Sequence, residues 1–222
     1  MRILALETSL FTGSIALASA GELVFQQHLP QEQRTAQTLA PAIAAALRQV
    51  DWRPSDVNLV AVTTGPGSFT GLRVGVTTAR TFSYAVGAAI LGINTLEVIA
   101  RQVSLPSAEI WAVMDAQRGD LFAARYSRGE GARLSELVST HIVPREQWLA
   151  RLDGTAAVTG PGLKGCELRL PEGRMERAEH WEPLAETVAA MAWELHRQGV
   201  SHDVWQLVPE YFRKSAAEEK LT

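Results

Sequence analysis

Cysteine is nearly absent: the 222 residues contain one, Cys166. No disulfide can form within the chain, and a thiolate metal site would need more sulfurs than it holds. Such usage fits a reducing compartment. Lysine is scarce too, since of 21 basic residues only Lys164, Lys214 and Lys220 are lysines. The rest are arginines, which suit fixed ion pairs and planar contacts better than diffuse charge. There is no basic excess either: the formal charge is −3, whereas a protein that holds RNA unaided carries many cations to neutralise phosphates. Nucleic acid is therefore not expected as a sole partner. No apolar run reaches the roughly 20 residues that cross a bilayer. Met1-Arg2 leads straight into Ile3-Leu4-Ala5-Leu6 without a charged leader or a small-residue cleavage site. The expectation is a soluble, cytoplasmic protein with no membrane partner. Paired histidines are missing as well, because His28, His141, His180, His196 and His202 include no two spaced three or four apart. No metal site is expected from them.

What is present is enough for a core. With 46% apolar and 20% charged residues, a chain of this length can bury about 70% of its unfolded surface. Ile3 to Leu6, Ser14 to Ala18 and Leu23 to His28 read as three short strands parted by Thr12-Gly13 and Ala20-Gly21. From Arg34 to Val50, Leu39, Ile43, Ala46, Leu47 and Val50 recur at three- and four-residue steps, the pattern of a helix that Pro41 either bends or opens. A strand at Val57 to Thr63 is followed by a turn at Gly65 to Gly67. A helix at Thr70 to Ala85 carries Leu72, Val76, Ala79 and Phe82 on one side. A strand at Ala89 to Ile93 and a helix from Thr95 to about Val103 complete a first unit. After Pro106 the order restarts, with strands Glu109 to Met114 and Leu121 to Tyr126. Val158-Thr159-Gly160-Pro161-Gly162 then echoes Val62-Thr63-Thr64-Gly65-Pro66-Gly67, each a strand running into Gly-Pro-Gly and toward a helix start. The two halves imply a duplicated α/β unit, mixed sheets covered by helices, divided into lobes at 1–105 and 106–222.

Two constellations invite chemistry. Glu7-Thr8-Ser9 closes the first strand, where an acidic residue can hold a hydrated metal and hydroxyls can meet phosphate oxygens. The same residues serve equally as a strand-end turn that satisfies its own backbone, and no glycine separates Glu7 from the hydroxyls to let a phosphate approach. Gly65-Pro66-Gly67-Ser68-Phe69-Thr70-Gly71-Leu72-Arg73 offers positive-φ glycines and a Ser68 or Thr70 cap at a helix start able to take an anion. It lacks the lysine and the spacing of a P-loop.

The string from Gly65 to Gly75 resembles the signature of the TsaB (YeaZ) family. Leu4-Ala5-Leu6-Glu7-Thr8-Ser9, Gly92-Ile93-Asn94-Thr95-Leu96, Asp115-Ala116-Gln117-Arg118-Gly119-Asp120-Leu121-Phe122 and Pro209-Glu210-Tyr211-Phe212-Arg213 match in the same order. The resemblance implies a duplicated actin/Hsp70-like (ribonuclease H-like) fold, similar to the first lobe of the transferase TsaD. It also implies a role in forming N6-threonylcarbamoyladenosine at position 37 of tRNAs that read codons beginning with A. The implied partners are TsaD and the ATPase TsaE, with tRNA met only through the complex, a homodimer as a further possibility, and no cofactor. Thr35 stands where many members have histidine, and Glu7 where many have aspartate. TsaD-like transferases hold their metal through a His-x-x-x-His pair that would fall at Thr95 and Ile99, and neither side chain can replace an imidazole. The expected role is thus a non-catalytic subunit. Glu7, Thr8, Ser9, Gly65 and Gly67 would be a vestigial nucleotide site.

A partner surface follows from the same two helices. Ala36, Ala40 and Ala44 form a small-residue row away from the Leu39-Ile43-Leu47 face, and Arg73, Thr77, Arg80 and Tyr84 lie partly off the core face of the second helix. By themselves the alanines could simply favour helix and face water. The resemblance implies pairing there in a four-helix bundle with TsaD or a second copy. Two other readings stay open: a small ATP-dependent kinase-type enzyme of the same superfold, and a metallopeptidase, which the missing His-Glu-x-x-His disfavours.

Overall fold

Alternation along the first strands decides how the sheet is dressed. In this computed structural model, which describes residues 1–30, 33–129, 133–170 and 172–213, β1 (Arg2–Glu7), β2 (Ser14–Ser19) and β3 (Glu22–His28) form an antiparallel meander. After α1 (Thr35–Gln49), β4 (Leu59–Gly65) pairs parallel to β1. After α2 (Phe69–Val86), β5 (Ala89–Asn94) pairs parallel to β4, giving the order β3-β2-β1-β4-β5. Leu4, Leu6, Ile15, Leu17, Val60 and Val62 point to one face and pack with Leu39, Ile43, Leu47, Val76 and Ala79 of α1 and α2. Because successive side chains alternate, Ala5, Ala16, Ala18 and Ala61 point the other way. Against that small-residue face lies α5 (Ala185–Arg197), whose first N–H donates to Ser14 Oγ at 3.0 Å. Two covered faces explain why β1 and β4 are buried nearly throughout.

Both helix faces read from periodicity are the buried ones, with Val50 and Phe82 partly covered. Pro41 is inside α1, beyond its first turn. Its missing N–H leaves one i→i−4 bond unmade on an exposed side of the helix. Ser68 caps α2 by accepting from Gly71 N–H at 3.3 Å, and Gly87, at φ 71°, ends it.

Among the described residues, Met1–Thr95 and Leu184–Glu210 form one unit, and Leu96–Pro183 with Tyr211, Phe212 and Arg213 form the other. The lobes expected at 1–105 and 106–222 are consecutive in sequence. The units defined by contacts are not, because α5 returns to the first sheet. In the second unit, α3 (Thr95–Arg101) leads to β6 (Glu109–Asp115), β7 (Asp120–Arg128), β8 (Leu134–Pro144), α4 (Arg145–Ala150) and β9 (Ala157–Thr159), in the order β8-β7-β6-β9. β6 and β7 are antiparallel, as are β7 and β8, and β9 is parallel to β6. Met175 bridges Val158 in parallel, with Val158 N–H donating to Arg174 O and Glu176 N–H to Val158 O. It occupies the place that β5 has in the first sheet. Both sheets therefore share one topology, and the chain has the duplicated actin/Hsp70-like, ribonuclease H-like fold. The helix start expected after Gly160-Pro161-Gly162 is a single 3-10 turn, Pro161–Leu163. Gly160 and Gly162 instead fit the backbone of Val113 and Met114, which a Cβ would approach to 2.1 and 2.9 Å. The second core gathers Trp111, Trp148 and Trp181 around Val113, Leu121 and Val158.

Candidate functional site

The end of β1 runs directly across the start of α2. Glu7, Thr8 and Ser9 are fully buried. Glu7 Oε1 accepts from Ser9 N–H at 2.6 Å, from the Ser9 hydroxyl, and from Thr63 Oγ1 at 3.5 Å. Ser9 O in turn accepts from Ser68 N–H at 2.7 Å. A backbone donor that could meet a phosphate is thereby held by a carbonyl of the chain itself. Glycines permit the contact: a Cβ on Gly67 would lie 2.5 Å from Ser9 O, on Gly71 2.1 Å from Thr8 O, and on Gly75 2.0 Å from Thr8 Oγ1. Three glycines at four-residue steps, one just before α2 and two within it, thus clear a path for residues 7–9. Gly65, at φ 135°, does the same for the chain's later return, since its Cβ would fall 2.5 Å from Glu210 O. Of the five residues expected around a nucleotide, Glu7, Thr8, Ser9 and Gly67 come together in a closed turn, whereas Gly65 packs against Glu210.

On the other side of α2 the surface is open. Ala36, Ala40 and Ala44 are exposed along α1, and Arg73, Thr77, Thr81 and Tyr84 along α2. Between them runs a groove of about 460 Å³ lined by Ala40, Ala44, Leu47, Thr77, Thr81 and Ala85 among others. Neither helix contains an aspartate or glutamate. The Arg73 guanidinium sits over the Phe69 ring, 3.9 Å from its centroid. Arg80 differs from the other residues expected on this surface. Its Nε donates to Val204 O at 2.7 Å and its Nη2 to Trp205 O at 3.2 Å, so it fastens the 203–207 turn to α2. That turn carries Trp205, 63% exposed, edge-on to Tyr84, 67% exposed, with ring centroids 5.1 Å apart. A second cleft of about 320 Å³ lies at this pair. Sequence reasoning did not single out Trp205, because a lone tryptophan in a loop shows no period. Thr95 and Ile99 are both fully buried on α3. Among the described residues no group of three or more His, Cys, Asp or Glu could hold a metal, and no helix is long and apolar enough to cross a membrane.

Comparison with known proteins identifies the family. A family model described as TsaD, tRNA N6-adenosine threonylcarbamoyltransferase, matches residues 29–150, more than half of the chain. The tRNA threonylcarbamoyladenosine biosynthesis protein TsaB of Bacillus subtilis is 28% identical over 99% of this chain and 97% of its own length. The chain belongs to the TsaB (YeaZ) family, within the TsaD-like group. TsaB of Escherichia coli is 27% identical over 100% of this chain and 98% of its own. Among solved structures, YeaZ from Pseudomonas aeruginosa superposes with a TM-score of 0.80 at 23% identity, covering 95% of this chain and 99% of that one. A second Pseudomonas aeruginosa structure, described as a protein with similarity to peptidase YEAZ, gives 0.83 at 24%, covering 96% and 99%. These two share the fold along nearly the whole chain.

Proposed function

We propose that this family member is a non-catalytic subunit of the complex that forms N6-threonylcarbamoyladenosine at position 37 of tRNAs reading codons that begin with A. In this reading it binds and activates a TsaD-like transferase, together with a TsaE-like ATPase, in the cytoplasm, and meets tRNA only through the complex. The observation that carries the proposal is the full-length similarity to proteins named for this biosynthesis. Two features of the structure support the division of labour. The loop of Glu7 to Ser9 is locked onto α2 by its own hydrogen bonds, and Thr95 and Ile99, set where the transferases have metal ligands, are buried and non-ligating.

The docking surface is the α1–α2 face. Its exposed alanines allow helices to approach closely, and its groove is apolar with few charged atoms. Arg73, Thr77 and Tyr84 contribute from α2, whereas Arg80 contributes by holding Trp205 beside Tyr84. Replacing Ala40 with arginine places an unpaired cation in that contact, and desolvating it weakens association roughly a hundredfold or more. Because Ala40 is exposed, the free chain keeps its melting midpoint within a few degrees. The test is titration of the TsaD-like partner with parent and Ala40→Arg chains, followed by threonylcarbamoylation of tRNA by the reconstituted complex. Equal affinity with a folded variant would place the surface elsewhere. Modification at full rate without this chain would remove the proposed activating role.

A further inference from the structure

β5 is the edge of the first sheet, and an open edge presents unpaired N–H and C=O groups. Among the described residues, His202 pairs with it. His202 N–H donates to Ile90 O at 3.0 Å, in an antiparallel bridge, and Gly92 N–H donates to His202 Nδ1 at 2.9 Å. The backbone of His202 and its ring thus act as a one-residue sixth strand. The strap that carries it, residues 201–210, is held at other points as well. Leu207 is buried against Gly92, where a Cβ would lie 2.6 Å from Leu207 Cδ1, and Arg80 grips the carbonyls of Val204 and Trp205. Glu210 N–H donates to Thr64 O at 2.8 Å, a carbonyl set free by the register shift at the end of β4.

A backbone N–H can only donate, so Nδ1 must carry a lone pair, and an imidazolium, protonated on both nitrogens, cannot serve. We infer that His202 is an acid-released latch: its protonation breaks the ring's bond to Gly92 and loosens the part of the strap that carries Trp205 from the β5 edge.

The charged and titratable surroundings are few. β4 and β5 carry none. Within the strap, Asp203 faces Trp205 N–H through Oδ1 at 2.7 Å, and Glu210 accepts from Thr64 Oγ1 at 3.2 Å. α2 offers Arg80, and α5, which also packs on β5, brings Glu186, Glu194, His196 and Arg197. A substitution at position 202 alone separates the latch from these groups.

The experiment is amide exchange of Gly92 and His202 by NMR at about pH 7.5 and about pH 5.5, corrected for intrinsic rates, on the parent, His202→Asn and His202→Ala. Asparagine Oδ1 reaches from the same position as Nδ1 and accepts at both pH values. For the parent, opening at Gly92 should rise roughly three- to tenfold on acidification, the worth of one hydrogen bond. His202→Asn should stay protected at both, and His202→Ala open at both. Glu210, tied to Thr64, is the internal reference and should hold steady. Unchanged protection of Gly92 in the parent, or the same rise in His202→Asn, overturns the inference. A thermal melt of each variant confirms that the chain is folded.

Discussion

Glu176 shows how a single side chain can organise an irregular stretch. Its carboxylate is 1% exposed and accepts from Ser104 N–H at 2.6 Å, Leu105 N–H at 3.1 Å, Arg177 N–H at 2.9 Å and the Ser104 hydroxyl. Burial by itself would raise its pKa, but these donors override burial and hold it down at about 2. A folded-state pKa below the ordinary carboxylate value means the stabilisation is complete above about pH 4.5 and is lost as pH falls from there toward 2. The shift corresponds to about 3 kcal/mol. Glu176→Gln is therefore expected to lower stability by roughly 2–4 kcal/mol at neutral pH, and the gap between parent and variant to shrink as the pH is lowered from 5 to 3. Urea melts across that range check it, and a gap independent of pH would show that the carboxylate's charge contributes nothing. No sequence motif marked Glu176. Apart from the neighbouring Arg177, its donors come from 71 and 72 positions away, and only folding assembles them.

Among the elements, α2 is the one most legible in sequence and the most constrained. Its apolar period was read, and of the two caps offered, Ser68 and Thr70, the fold uses Ser68; its end at Gly87 and the reason for Gly71 and Gly75 were not visible. As a glycine loop the string suggested an approaching phosphate. In the fold, what approaches is the chain's own Thr8. Gly71→Ala would set a methyl 2.1 Å from Thr8 O, a backbone atom that cannot swing away. The expected loss is about 2 kcal/mol or more, larger than the few tenths to 1 kcal/mol that alanine gains over glycine in a helix interior. A denaturant midpoint equal to or above the parent's would contradict the contact. By contrast α5 escaped the sequence reading although its Val188, Ala189, Met191 and Ala192 are buried. Its partners are the alanines of β1, β2 and β4, and small residues on a strand do not announce which helix will cover them.

At the scale of the whole molecule, 24 acidic against 21 basic residues and a net charge of −3 leave little counterion release to drive RNA binding. Alone, the chain should hold tRNA no more tightly than a generic acidic protein at physiological salt. Sub-micromolar retention in a filter assay, with a steep salt slope, would count against that. Several features follow from the sequence by local physics: the strand meander, the faces of α1 and α2 and the duplicated order are set by side-chain period and by turn residues, which act within a few positions. The family was legible for a similar reason, since its motifs are contiguous strings. Three things were decided only in three dimensions. α5 joins the sheet laid down by residues 2–94, Glu7 to Ser9 close onto the glycines of α2, and His202 seals the edge of β5. Each depends on contacts between segments far apart in the chain, where the partner's shape, and not the local pattern, determines what a residue does.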